Sequence, residues 1–162
     1  MELQFKEPQY NWGDRFFIYD ENDKKAFRVK SSILLWNKKF EIMDLDKNVL
    51  VTIKNDPKSF FKKKFFVFIQ DEQVAAITKE ISIIPKYTFE GIDWTRQGLM
   101  LNEYDLLQQG QIVVSKVEDM RPWGRRQILT MNDSINPLLG LAIAFTLSYA
   151  MEAGNGEPAD RF

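Results

Sequence analysis

Along most of the chain, apolar positions alternate with polar ones. Phe16 and Ile18, Phe40 and Ile42, and Phe65 and Val67 each stand two apart. Each pair therefore lies on one face of a β-strand, whose successive side chains point to opposite sides. The pattern changes once, from Pro137 to Ala153, where PLLGLAIAFTLSYAMEA leaves no polar face wider than Gly140, Thr146 and Ser148. A helix apolar all round must be buried, in protein or in lipid. Asn136 predicts an N-cap, with Pro137 at the first helical position. Gly154 stands where a left-handed C-terminal residue is expected.

The strands come as repeated units. Residues 12–20 read WGDRFFIYD and residues 36–44 read WNKKFEIMD, an offset of 24 residues. The offset persists through Ala26–Lys30 and Leu50–Lys54. A third copy starts at Phe61 as FKKKFFVFI, with Val74–Lys79 as its second strand. The opening returns at Trp123 as WGRRQIL, and Glu103–Lys116 is a degenerate copy. Each unit reads as an aromatic and a turn residue, a basic pair, an alternating strand, a polar turn and a second strand. The turns, such as Asp20-Glu21-Asn22-Asp23 and Asp44 through Asn48, are rich in turn formers. A unit of 24 residues has room for a hairpin and not for a strand–helix–strand crossover. Further short strands are expected at Ser31–Leu35, Ile81–Ile84, Lys86–Glu90 and Leu99–Leu101, with one more at the N-terminus. The total is about ten to twelve strands of antiparallel meander before Asn132.

Seventeen helical residues span about 26 Å, short of the roughly 20 residues a membrane span usually takes. Burying the helix contributes on the order of 10–20 kcal/mol gross in protein or in lipid alike, so geometry must choose. A barrel of about twelve strands leaves a lumen, and a central apolar helix fills it. The expected architecture is mainly β: a closed antiparallel barrel of about twelve strands around helix 137–153. Residues 1–153 form one domain, and 154–162 a disordered polar tail. The alternative is a tail-anchored membrane protein.

Composition narrows the chemistry. Charged residues make up 28% and the net charge is −1, so any basic site is local. The chain has neither Cys nor His, which removes disulfides, thiol chemistry and imidazole bases. Asp44-x-Asp46-x-Asn48 starts like a calcium loop, but Val49 stands where the loop needs Gly and Asn55 where it needs Glu. A hairpin turn is the better reading. Asp93, Glu103, Asp105, Glu118 and Asp119 show no acid/base spacing. No phosphate-cradling glycine loop or nucleophile elbow is present. A non-enzyme is expected, without catalytic residues, metal or cofactor. Lys62-Lys63-Lys64 and Arg121, Arg125 and Arg126 read as solvated strand ends. The aromatics fall at strand spacing, so no nucleic-acid partner is expected. The N-terminus, MELQFKEPQY, is too polar for a signal peptide, which predicts a cytoplasmic protein.

The F-x-I-x-D hairpin meander closed by a hydrophobic C-terminal helix resembles the Tubby C-terminal-like superfamily, and within it the LURP-one-related branch. The resemblance covers Leu3 to Ala153 and implies a twelve-stranded barrel around a central helix. Tubby proteins bind membrane phosphoinositides through two basic residues of a Lys-x-Arg-Ser-Asn run ahead of a Lys-Phe strand. Arg28-Val29-Lys30-Ser31-Ser32, ahead of Lys39-Phe40, is similar to that run. The resemblance thus implies Arg28, Lys30 and Ser31 as residues for a phosphate or lipid headgroup. Arg28 and Lys30, two apart in a strand, share a face. Arg would be a bidentate donor and Lys a point charge. The expected partner is an anionic phospholipid at a membrane surface, met peripherally. The competing reading is a protein-interaction or structural module, with Trp36 or Trp94 as exposed anchors. Lys30 would then be a solubilising strand-edge residue, like Lys54, Lys79 and Lys116.

Overall fold

The computed structural model describes residues 1–6, 15–34, 37–58, 62–80, 86–98, 103–122 and 124–153. Among the described residues twelve strands precede one helix: β1 (Glu2–Lys6), β2 (Arg15–Asp20), β3 (Lys25–Leu34), β4 (Asn37–Met43), β5 (Val49–Asn55), β6 (Lys62–Ile69), β7 (Glu72–Glu80), β8 (Lys86–Glu90), β9 (Trp94–Gln97), β10 (Tyr104–Gln108), β11 (Gln111–Arg121), β12 (Gly124–Met131) and α1 (Pro137–Ala153). All twelve strands belong to one antiparallel sheet, in the order β8-β7-β6-β5-β4-β3-β2-β1-β12-β11-β10-β9. The two outermost strands, β8 and β9, are consecutive in the chain, so the sheet curls until its edges meet. Among the described residues no ladder joins them. The barrel is therefore nearly closed, with a seam where full closure was expected.

The expected strand at Ser31 is the second half of a continuous β3. The one expected at Lys86–Glu90 is β8. Ile81–Ile84, Leu99–Leu101, Trp36, Gly154 and the tail lie outside the described residues. Strand β9 was not foreseen, because WTRQ holds one apolar residue and alternation needs at least two.

The repeat is visible in atomic detail. Asp20 Oδ1 accepts from the backbone N–H groups of Asn22 and Lys24 at 2.8 and 3.0 Å. Twenty-four residues on, Asp44 Oδ1 accepts from those of Asp46 and Asn48 at 2.9 and 2.8 Å. Asp23 and Lys47 take the left-handed residue of each turn, at φ 67° and 70°. Asp44 is thus a turn former, as its spacing predicts. The Asn48 side chain and backbone hold its carboxyl below the usual carboxylate range.

The first inward strand residue of each of the first three units packs its ring onto the helix. The Phe16 ring stacks on Phe145 at 6.0 Å, and Phe40 meets Phe145 at 5.2 Å and Tyr149 at 4.7 Å. Phe65 meets Tyr149 at 5.8 Å. Every residue from Leu141 to Tyr149 is buried, so the barrel takes up the apolar surface that an anchor would give to lipid. Among the described residues no helix is long and apolar enough to cross a membrane. Asn136 caps the helix as expected, its Oδ1 accepting from the Leu138 N–H at 3.0 Å. Gly140 lets the first turn approach β12: a Cβ there would stand 2.6 Å from the Met131 sulfur. The two polar residues in the buried stretch return their hydroxyls to the helix, Thr146 to the Ala142 carbonyl and Ser148 to that of Ala144.

Candidate functional site

Alternation along β2 to β5 sends Phe16, Ile18, Val29, Phe40, Ile42, Val51 and Ile53 to the core. The intervening residues form the outer face. Arg28 and Lys30 both stand on it, either side of the buried Val29. Ser31 does not join them. It is 8% exposed and pairs in register with the core residue Phe40, so it lies on the inner face.

Tertiary structure adds three cations to the two foreseen. Arg15 of β2 stands directly opposite Lys30 of β3, and Lys39 of β4 directly opposite Lys54 of β5. The two pairs are equivalent positions of the repeat, 24 residues apart. Like charges directly opposite on one face are destabilising. Among the described residues Arg15, Arg28, Lys30 and Lys54 form no ion pair, and Lys39 reaches only Glu41, at 3.9 Å. Elsewhere the outer cations are neutralised: Arg126 by Asp23 at 3.5 Å and Lys64 by Glu90 at 3.5 Å.

Arg28 lies over the Phe17 ring at 5.4 Å, and its Nε is buried without a hydrogen-bond partner. On the β4–β5 part of this face a groove of about 310 Å³ is lined by Lys39, Glu41, Val49, Thr52, Lys54, Phe68 and Asp71. Lys54 Nζ sits 5.3 Å from the Phe68 ring centre. β3 has a strand on each side, so Lys30 has no sheet edge to protect. Arg15, Lys39 and Lys54 could have been found by following the 24-residue offset from Lys30 and asking which positions face each other.

The other sequence candidates have structural roles. The Asp105 carboxylate accepts from Ser115 Oγ at 2.7 Å, and that of Asp93 from the Gln108 amide at 2.8 Å. Glu118 pairs with Arg125 at 3.3 Å, and the Glu118 N–H donates to Glu103. Trp94 is 5% exposed and belongs to the core, so it is not a surface anchor. Lys116 is no solubilising residue either: it is 1% exposed and donates to Ser148 Oγ. The Ser148 hydroxyl donates its own hydrogen bond to the Ala144 carbonyl, which makes the pair a clamp between β11 and the helix, not a nucleophile with its base. Burial pushes the phenol of Tyr104, beside Lys116, well above its ordinary pKa, so it stays protonated.

Fold and surface together define a helix-plugged β-barrel of the Tubby-like class. Residues 1–147 match the family model described as LURP-one-related, and the chain belongs to that family. It is 24% identical over 153 residues to the uncharacterized protein YxjI of Bacillus subtilis, covering 93% of this chain and 94% of that one. The X-ray structure of an Arabidopsis thaliana protein has the same fold, with a TM-score of 0.54 at 14% identity, over 93% of this chain and 86% of the other.

Proposed function

We propose that this protein is a non-catalytic binding module whose outer β2–β5 face takes anionic phospholipid headgroups at a membrane surface. The observation that carries the reading is a set of four cations on one face that form no ion pair among the described residues, three of them in two directly opposed like-charge pairs. Strands about 4.8 Å apart spread this set over about 14 Å, enough for more than one phosphate. The Arg28 guanidinium offers a two-pronged donor; the lysines supply point charges. Each basic residue near an anionic leaflet contributes about 1 kcal/mol, so five give about 5 kcal/mol. That is sub-millimolar partitioning, which suits a reversible peripheral contact.

Co-sedimentation of the full chain with vesicles tests the reading. Vesicles carrying phosphatidylserine or a phosphoinositide should retain the protein, and pure phosphatidylcholine should not. Arg28→Ala/Lys30→Ala should weaken retention about 30-fold, from roughly 2 kcal/mol of lost attraction. Retention that ignores lipid charge, or is the same in the double variant, rules the lipid site out.

A further inference from the structure

The end of the barrel where the helix begins holds a cavity of about 650 Å³ that is open to solvent. Its walls are the β8–β9 connection at Gly91, Ile92 and Asp93, the end of β10 at Gln108, the β12–α1 connection and the first helical turn. Ile92, Trp94, Ile135 and Leu139 form its apolar part, and each belongs to the core or packs against it. Trp94 is buried and stands directly opposite Gln108 in the β9–β10 ladder, so Gln108 reaches the cavity from the inner face. Core packing thus holds the apolar floor in place before any ligand arrives, and the volume is in the range of small-molecule sites.

Among the described residues that line the cavity, Asp93 alone carries a charge. Gln108 Nε2 donates to Asp93 Oδ1 at 2.8 Å, which holds the carboxylate in place. A carboxylate only accepts, so the amide must turn its nitrogen towards it. Gln108 Oε1 then stays available as a second acceptor beside Asp93 Oδ2, and neither side chain has a further partner among the described residues. The helix start could favour an anion, but its N–H groups are already committed. Pro137 has none, Asn136 Oδ1 takes that of Leu138, and the Asn136 carbonyl takes those of Leu139 and Gly140. Ser134 and Asn136 add only neutral groups to the lining. Two neighbouring acceptors, one of them charged, complement a cationic group with several N–H donors, and the apolar floor takes a hydrocarbon body. We infer that this cavity binds a small organic ammonium ion with an apolar body, its N–H groups on Asp93 and Gln108. The cavity shares no lining residue with the outer β4–β5 groove, so this site stands whether or not the outer face binds lipid.

The test is an NMR titration of the isotope-labelled full chain with three probes that share a phenylethyl body, read at the Trp94 indole N–H and the Gln108 side-chain amide. Phenethylamine should bind and shift both signals. Phenethyl alcohol should bind about fivefold more weakly, the upper range for an exposed ion pair, and hydrocinnamate more weakly still, because it meets Asp93 as a like charge. Asp93 is exposed and an Asn there can still accept from Gln108, so Asp93→Asn should fold. It should weaken phenethylamine about fivefold, to the level of the alcohol, and leave the alcohol unchanged. Lys39→Gln/Lys54→Gln should bind phenethylamine as the natural chain does. The inference is overturned if phenethylamine at millimolar concentration moves neither signal, or if the three probes bind alike. It is overturned as well if Asp93→Asn keeps the preference for the amine, or if the Lys39/Lys54 variant loses it.

Discussion

The basic pair that opens each repeat unit ends in two different places. Lys39, Lys64 and Arg126 point outward, while their neighbours Lys38, Lys63 and Arg125 share the inner face. Outside, on β2 to β5, like charges stand opposed with Lys39 alone reaching a carboxylate among the described residues, because water solvates each and salt screens them. Inside, Lys38 and Lys63 are half-buried, and the inward charges lean on protein groups. Lys38 lies over the Tyr149 ring at 5.3 Å, and Arg96 over two tyrosines. Arg125 meets Glu118, and Lys116 meets Ser148. Water answers for the outer charges and neighbours for the inner ones, so a substitution should read differently on the two sides of one strand.

Both regions rest on the helix, so the largest effect comes from removing their shared support. Phe145→Ala takes away the ring on which Phe16 and Phe40 pack, and should cost about 3–5 kcal/mol in urea unfolding. A cost below about 1 kcal/mol would mean that the strands hold their curvature without the helix. Next comes lysine truncation on each side. Lys116→Ala removes a fully buried stem and leaves Ser148 short of a donor, for a loss of about 2–3 kcal/mol. Lys39→Ala, half-exposed on the other side, should stay within about 0.5 kcal/mol. Equal costs would erase the contrast.

A smaller effect tests the opposed pairs. Lys54→Gln relieves Lys39 and should stabilise by about 0.2–1 kcal/mol at low salt, with the gain fading as salt rises. A loss instead of a gain would show that the pair is held together by something other than solvent. The smallest effect is at the rim of the outer face, in the turn built on Asp44. Its folded-state pKa is depressed by the Asn48 hydrogen bonds, so its contribution is present above the ordinary carboxylate pKa. It is lost as pH falls through the lower folded value. The stability gap between the natural chain and Asp44→Asn should therefore narrow on acidification, and a gap that widens would reverse the sign.

Much of the fold was legible because its signals are local. Alternation marks strands, Asn136 and Pro137 mark a helix start, and a 24-residue period leaves room for hairpins only. The same alternation put Arg28 and Lys30 on one face. Ser31 entered through the order of a motif, which carries no information about faces, and alternation places it inside. The rest of the outer patch was not legible as a set, because Arg15, Lys39 and Lys54 converge only through ladder registers with β3 and β4.

Register and closure are where residue order stops deciding. Ladder pairing places Lys30 mid-sheet, whereas a linear reading offers it an edge. Closure around the helix buries Trp94 and sets Lys116 against Ser148, although both read as surface residues in their own segments. The seam between β8 and β9 has no mark in the chain either, since two consecutive strands are the usual candidates for a hairpin. A residue's periodicity says which side of its strand it occupies. Which side is inside, and which charges meet there, follows only when twelve strands share one helix.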